Sequence, residues 1–148
     1  MWVLHQKLTP ASAGRKLNQD HAWDDYITPE VLEAHPDYLA VSRDGTRSKL
    51  GKGVKYCTTN TELVDVFAQG VTRWLDGNPN QRTASISASD GGGFCQCPRC
   101  QPLETKDPHG RPSYVLALLD FYNRVARIVA QRHPDRILGA LVYYNYMY

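Results

Sequence analysis

Apolar positions recur along this chain with two periods. From Leu63 onward, Leu63, Val66, Phe67, Val71, Trp74 and Leu75 follow at helical spacing, one apolar face on a helix that "GNPN" stops. Thr59 and Glu62 have the spacing of a capping box at its start. A second helix is predicted after Pro112, with Val115, Leu118, Leu119, Tyr122, Val125, Ala126 and Val129 as its buried stripe and His133-Pro134 closing it. A period of two marks "TASISAS": Ala84, Ile86 and Ala88 face one way and the serines the other. "VKYCTTN" reads as a strand ending in a polar loop, and "RILGALVYYNYMY" as a final strand, apolar and then aromatic. Upstream, Met1–Leu8 reads as a strand and "TPASAGRKLNQDH" as loop. "TPEVLEAHP" reads as a short helix with Thr28 as N-cap, Pro29 in its first turn and Pro36 ending it. "YLAVSRDGTRS" reads as a short strand entering a turn at Asp44-Gly45.

The order strand, helix, strand, helix, strand, with connections of this length, favours right-handed parallel crossovers and an α/β fold. Polar residues gather just after the strands: Cys57 and Asn60, then Asp90, then Tyr143 to Tyr148. In parallel α/β folds that carboxyl end of the sheet is the functional face. The expectation is a single domain over residues 1–148 that forms part of a (β/α) TIM-type barrel. A whole barrel needs about 250 residues, so a truncated barrel is expected. Such an object, tested alone, is expected to self-associate and to lack hydrolase activity.

Composition narrows the function. The 148 residues carry a formal charge of +2 with no long run of one sign. That speaks against a nucleic-acid partner and a polybasic membrane anchor. No apolar stretch is long enough to span a bilayer, and the N-terminus lacks the pattern of a signal peptide.

Three of the four cysteines crowd into "SASDGGGFCQCPRC". With Cys57 at the end of an earlier strand, Cys95, Cys97 and Cys100 supply four thiols, a set suited to tetrahedral zinc. Two disulfides or buried free thiols are the alternatives. Zinc is preferred, in a structural role, because four protein ligands leave no open position for catalysis. Asp90 ends a strand and precedes glycines that let a ligand approach the backbone. It is the candidate catalytic carboxylate; the competing reading is a turn-capping aspartate. His21 and Trp23, in "DHAWDDY", and Asn60 are candidate substrate contacts. In "YYNYMY", Tyr144 and Tyr146 share one side of the strand and can stack on sugar rings or fill a core. His35 and His133 read as helix-end residues and Trp74 as part of an apolar face.

The pieces "HPDYLAV", "YCTTNTEL", "SISASDGGGFCQCPRC" and "HPDRILGALVYYNYMY" occur in this order from about His21 onward. They resemble a family of bacterial carbohydrate-active proteins catalogued as a domain of unknown function, DUF4838, which includes endo-β-N-acetylglucosaminidases acting on N-glycans. The resemblance implies a TIM-type barrel, a glycan substrate and retaining hydrolysis assisted by the substrate's own N-acetyl group. It implies a periplasmic or extracellular setting and no catalytic cofactor. Asp90 then protonates the leaving oxygen or steadies the acetamido group, and a partner carboxylate is sought among Asp20, Asp24 and Asp25 or beyond this chain. Two other readings compete: a zinc-knuckle binding module, and a carbohydrate-binding barrel relic without turnover.

Overall fold

The structure, a computed structural model, describes residues 20–143. The expected strand at Met1–Leu8 and the tyrosines Tyr144 and Tyr146 lie outside the described residues.

Among the described residues three α-helices form: α1 (Pro29–Ala34), α2 (Thr61–Gly77) and α3 (Val115–Arg132). The described strands are short: β1 (Thr83–Ser85), β2 (Thr105–Lys106), β3 (Pro112–Ser113) and β4 (Ile137–Gly139). β1 and β4 pair in parallel, with Thr83 opposite Ile137, Ala84 opposite Leu138 and Ser85 opposite Gly139, and α3 lies on the crossover between them. The ladder runs past the strand end, where the Ile86 amide donates to the Gly139 carbonyl over 2.8 Å. Successive residues of a strand turn their backbone groups to opposite sides. The Ser87 carbonyl therefore serves the other edge, where it accepts from Ala22 and His21 pairs in parallel with Ser87. Three segments thus run side by side in one direction: 20–22, 83–89 and 137–141.

The serines of the middle segment stitch these neighbours together. The Ser85 hydroxyl donates to the Asp20 carbonyl, Ser87 Oγ accepts from the Leu141 amide over 2.9 Å, and Ser89 Oγ donates to Asp24 over 2.8 Å. All three serines are buried and all three are satisfied, as buried hydroxyls must be. Ala84, Ile86 and Ala88 join the hydrophobic core with α2 and α3. A string of rings forms its centre: Trp23 stacks on Tyr56 at 5.1 Å and meets Phe121 edge-on at 5.6 Å, and Phe121 meets Phe67 at 5.1 Å.

Several expectations need correction. The stretch around Lys55 does not form a strand in the parallel series. Gly51 and Gly53, at φ +94° and +88°, turn the chain back, and residues 55–57 pair antiparallel with 38–40 through Cys57 N to Tyr38 O and Ala40 N to Lys55 O, each 2.8 Å. The cap of α2 is Asn60 and not Thr59: its side chain accepts from the Leu63 amide over 3.1 Å. On α3, Leu119 points outward at 46% exposed, whereas Phe121, left out of the expected stripe, is fully buried. Among the described residues no helix is long and apolar enough to cross a membrane.

Candidate active site and cysteine centre

The three parallel segments deliver one polar side chain each to the same end. His21 stands at the end of the first, Asp90 follows the second, and Tyr143 follows the third. The Tyr143 hydroxyl donates to Asp90 Oδ1, lies 3.3 Å from His21 Nε2, and His21 Nε2 is 3.8 Å from the same carboxylate oxygen. The other imidazole nitrogen, Nδ1, bonds the Ala88 carbonyl at 2.5 Å, which turns Nε2 toward Asp90 and Tyr143. Donation from Tyr143, then from the Gly91 amide, holds the Asp90 carboxyl below the usual carboxylate range; nearby His21 and Lys55 act in the same direction. Asp90 is therefore an ionised acceptor at neutral pH. The arrangement is an exposed carboxylate with a hydroxyl and an imidazole beside it, open to a polar ligand.

Directly below it lies Lys55, 2% exposed. Its ammonium donates to the carbonyls of Asp90 and Ser89, and burial lowers its pKa. Asp24 accepts from Ser89 Oγ and from the Gly53 amide, so its carboxylate braces the same turn. Asp25, its pKa raised by burial, lines a cavity of about 430 Å³ with Tyr26, Arg73 and Trp74, and none of His21, Asp90 and Tyr143 lines it.

Two of the expected substrate contacts serve the fold instead. Trp23 is fully buried, its indole N–H donating to the Ile86 carbonyl over 3.1 Å, and has no face for a ligand. Asn60 is 6% exposed and spends both ends of its amide, one on capping α2 and the other on Asp37 at 2.8 Å. Sequence reasoning missed Lys55 and did not single out Tyr143. The signal for Lys55 is its place two residues from Cys57 in an apolar run, which puts both on one side of an extended chain.

The four cysteines converge as expected. Cys57 reaches them from the 55–57 segment; Cys95, Cys97 and Cys100 come from the loop after β1. Cys57 Sγ is 3.7 Å from Cys97 Sγ and 3.9 Å from Cys100 Sγ, and all four sulfurs lie within 4.8 Å of one another, a group able to hold a metal ion. All four are free thiols and three are buried, so no cross-link joins them as two disulfides would. The shell around them is polar: the Val41 amide donates to Cys95 Sγ at 3.4 Å, and Thr59 Oγ1 lies 3.1 Å from Cys100 Sγ. Hydrogen bonds from Cys100 and Cys95 pull the Cys57 thiol down, and hydrogen bonding within the same set pushes the Cys95 and Cys100 thiols up.

A family model described as a domain of unknown function (DUF4838) matches residues 3–147. No curated protein and no solved structure matches the chain.

Proposed function

The chain belongs to the DUF4838 family, and from that premise we propose that the His21–Asp90–Tyr143 cluster is the carbohydrate-processing site of a glycoside hydrolase. The observation that carries the reading is the ionised Asp90, held by Tyr143 beside His21 at the common end of three parallel segments. Those segments are read as consecutive staves of a (β/α) TIM-type barrel, whose carboxyl-end face carries the chemistry.

A glycosidase of this kind needs two carboxyl groups in different roles. The general acid must keep its proton near neutrality, which calls for a raised pKa. Asp90 is shifted the other way, so it suits the second role, that of an acceptor that steadies the substrate's acetamido N–H while that group's oxygen attacks the anomeric carbon. The substrate class is a glycan containing N-acetylglucosamine, and the reaction a retaining, substrate-assisted hydrolysis. Tyr143 keeps Asp90 ionised and aimed, and His21 offers a further polar contact.

The cysteines are read as the ligands of one structural zinc ion. Four thiolates at about 2.3 Å from a tetrahedral zinc stand about 3.8 Å apart, close to the 3.7 and 3.9 Å of the Cys57 pairs. With all four positions taken, the ion would stiffen the loop that follows Asp90 and take no part in catalysis.

The test uses the full-length protein on a fluorogenic N-acetylglucosaminide and on a complex N-glycan. Turnover with retention of configuration is expected, and Asp90→Asn is expected to reduce it by about 10²–10³-fold, the scale of one lost charge-stabilising group, without unfolding the chain. No release from any such glycan, or an Asp90→Asn variant as active as the parent, removes this reading.

A further inference from the structure

Lys55 is a buried lysine whose three N–H donors meet three backbone carbonyls: Asp90 at 2.6 Å, Ser89 at 2.8 Å and Gly53 at 3.3 Å. Asp24 completes the arrangement, accepting from Ser89 Oγ at 2.8 Å and from the Gly53 amide at 3.1 Å. Two charged side chains thus tie the turn at Gly53 to the start of the Asp90 loop. The far end of that loop is tied elsewhere, by Gln96 N to Val41 O at 2.6 Å and Val41 N to Cys95 Sγ at 3.4 Å. Between the two anchors run Gly91, Gly92 and Gly93, the first and last at φ +83° and +90°. A glycine run has no side chains with which to hold a shape of its own. Its path, and the direction in which Asp90 leaves it, is set by the anchors.

A residue that only filled this space would be apolar, since removing an ammonium from water is costly unless its partners repay the loss. Here the partners include the carbonyls of Ser89 and Asp90, one on each side of the Asp90 α-carbon. We propose that Lys55 is the positioning residue of the site: by gathering those two carbonyls it fixes how the Asp90 carboxylate is presented to Tyr143 and His21. Only the kinetic arm of the test rests on the glycosidase reading.

Lys55→Met and Lys55→Arg are compared with the parent in the full-length protein by amide hydrogen exchange and by kinetics on an N-glycan. In Lys55→Met, exchange across residues 90–94 is expected to rise about tenfold or more, the scale of one lost hydrogen bond to a charged group, while α2 and α3 stay protected. Misplacement of a reacting group by about 1 Å costs on the order of 10²-fold, so kcat should fall on that scale with KM little changed. Lys55→Arg, which keeps a cation and its donors, should recover part of the protection and part of kcat. Unchanged exchange across 90–94 in Lys55→Met overturns the proposal, and so does loss of protection in α2 and α3 to the same degree, which marks a merely structural lysine. Should Lys55→Met fail to fold, a folded Lys55→Arg with no protection left across 90–94, or with full protection and a KM-only defect, overturns it as well. A parent without glycosidase activity defeats the proposed function and leaves the exchange result to judge Lys55.

Discussion

Gly70→Ala puts two opposing effects of known size at one position. Gly70 lies inside α2, where alanine is favoured over glycine by about 0.8–1.0 kcal/mol. Taken alone, propensity says the variant gains stability. The packing says otherwise. A Cβ on Gly70 would stand 2.8 Å from Tyr26 Cβ and 2.9 Å from the Tyr26 carbonyl carbon, and closer still to its oxygen. These are backbone and near-backbone atoms, which no rotamer change removes. Tyr26 is also held from its far end, its hydroxyl donating to the Ser85 carbonyl at 2.6 Å and its ring lying edge-on to Phe67 at 5.1 Å. Relief must therefore come from moving the 22–27 segment away from α2, which loosens Tyr26 against Ser85 and Trp23 against Ile86. Overpacking of this kind typically costs about 1–3 kcal/mol, and contact with fixed backbone puts it at the upper end. After the helix gain is subtracted, a net loss of about 1–2 kcal/mol remains, or a fall in Tm of roughly 3–6 °C for a domain of this size. Urea unfolding with a fixed m-value and a thermal scan measure it. Gly77→Ala is the control: it sits at the last position of α2 with no atom near its Cβ, and should be neutral or slightly stabilising. If Gly70→Ala is as stable as the parent or more so, the close approach of α2 to Tyr26 is wrong.

Asn60→Ala removes both the cap of α2 and the tie to Asp37, and should lower stability by about 1–2 kcal/mol in the same urea assay. Asp76, at the end of α2, has its pKa lowered by hydrogen bonding from Arg132 and by the charges of Arg132 and His133. A depressed carboxylate contributes stability above its unfolded pKa of about 3.9, and that contribution is lost as pH falls through the folded value. The Tm difference between the parent and Asp76→Asn should therefore be present at pH 6 and shrink below about pH 4; a difference that grows on acidification would contradict the sign. Purified protein should contain one zinc per chain, and Cys57→Ser should lose most of it; metal analysis that finds no zinc and four freely titrating thiols decides against a metal centre.

The helices were legible because each needs only its own periodicity: α2 and α3 bury Leu63, Phe67, Val71, Leu118, Val125 and Val129 as expected. The cysteine set was legible too, since four thiols have few uses, although Cys57 reaches the loop from a segment paired antiparallel with 38–40 and not from the end of a parallel strand. What the sequence hid depends on distant partners. Trp23 reads as a loop residue until Tyr56 and Phe121 close over it. Asn60 reads as a polar loop residue until the helix start shifts by one and its side chain is used up as the cap. Lys55 shows in the sequence only the side of the chain it shares with Cys57; its role stays hidden because two of its three acceptors lie 34 and 35 residues away. Leu119 turns outward while Phe121 turns in, and the apolar pattern of α3 offers both to the core without choosing between them.

The parallel seam has a consequence for the order of events in folding. Its contacts join residues far apart along the chain: His21 to Ala88 spans 67 positions, Asp90 to Tyr143 spans 53, and His21 to Tyr143 spans 122. Local helices form early at small entropic cost, whereas closures of this length come late and slow the overall rate. The His21–Asp90–Tyr143 cluster needs all three closures at once. No fragment of the route to the native state can carry it, and a partly folded chain with α2 and α3 already docked would be silent at this site. The cluster thus acts as a completion signal, present only when the last of the three segments has found its place.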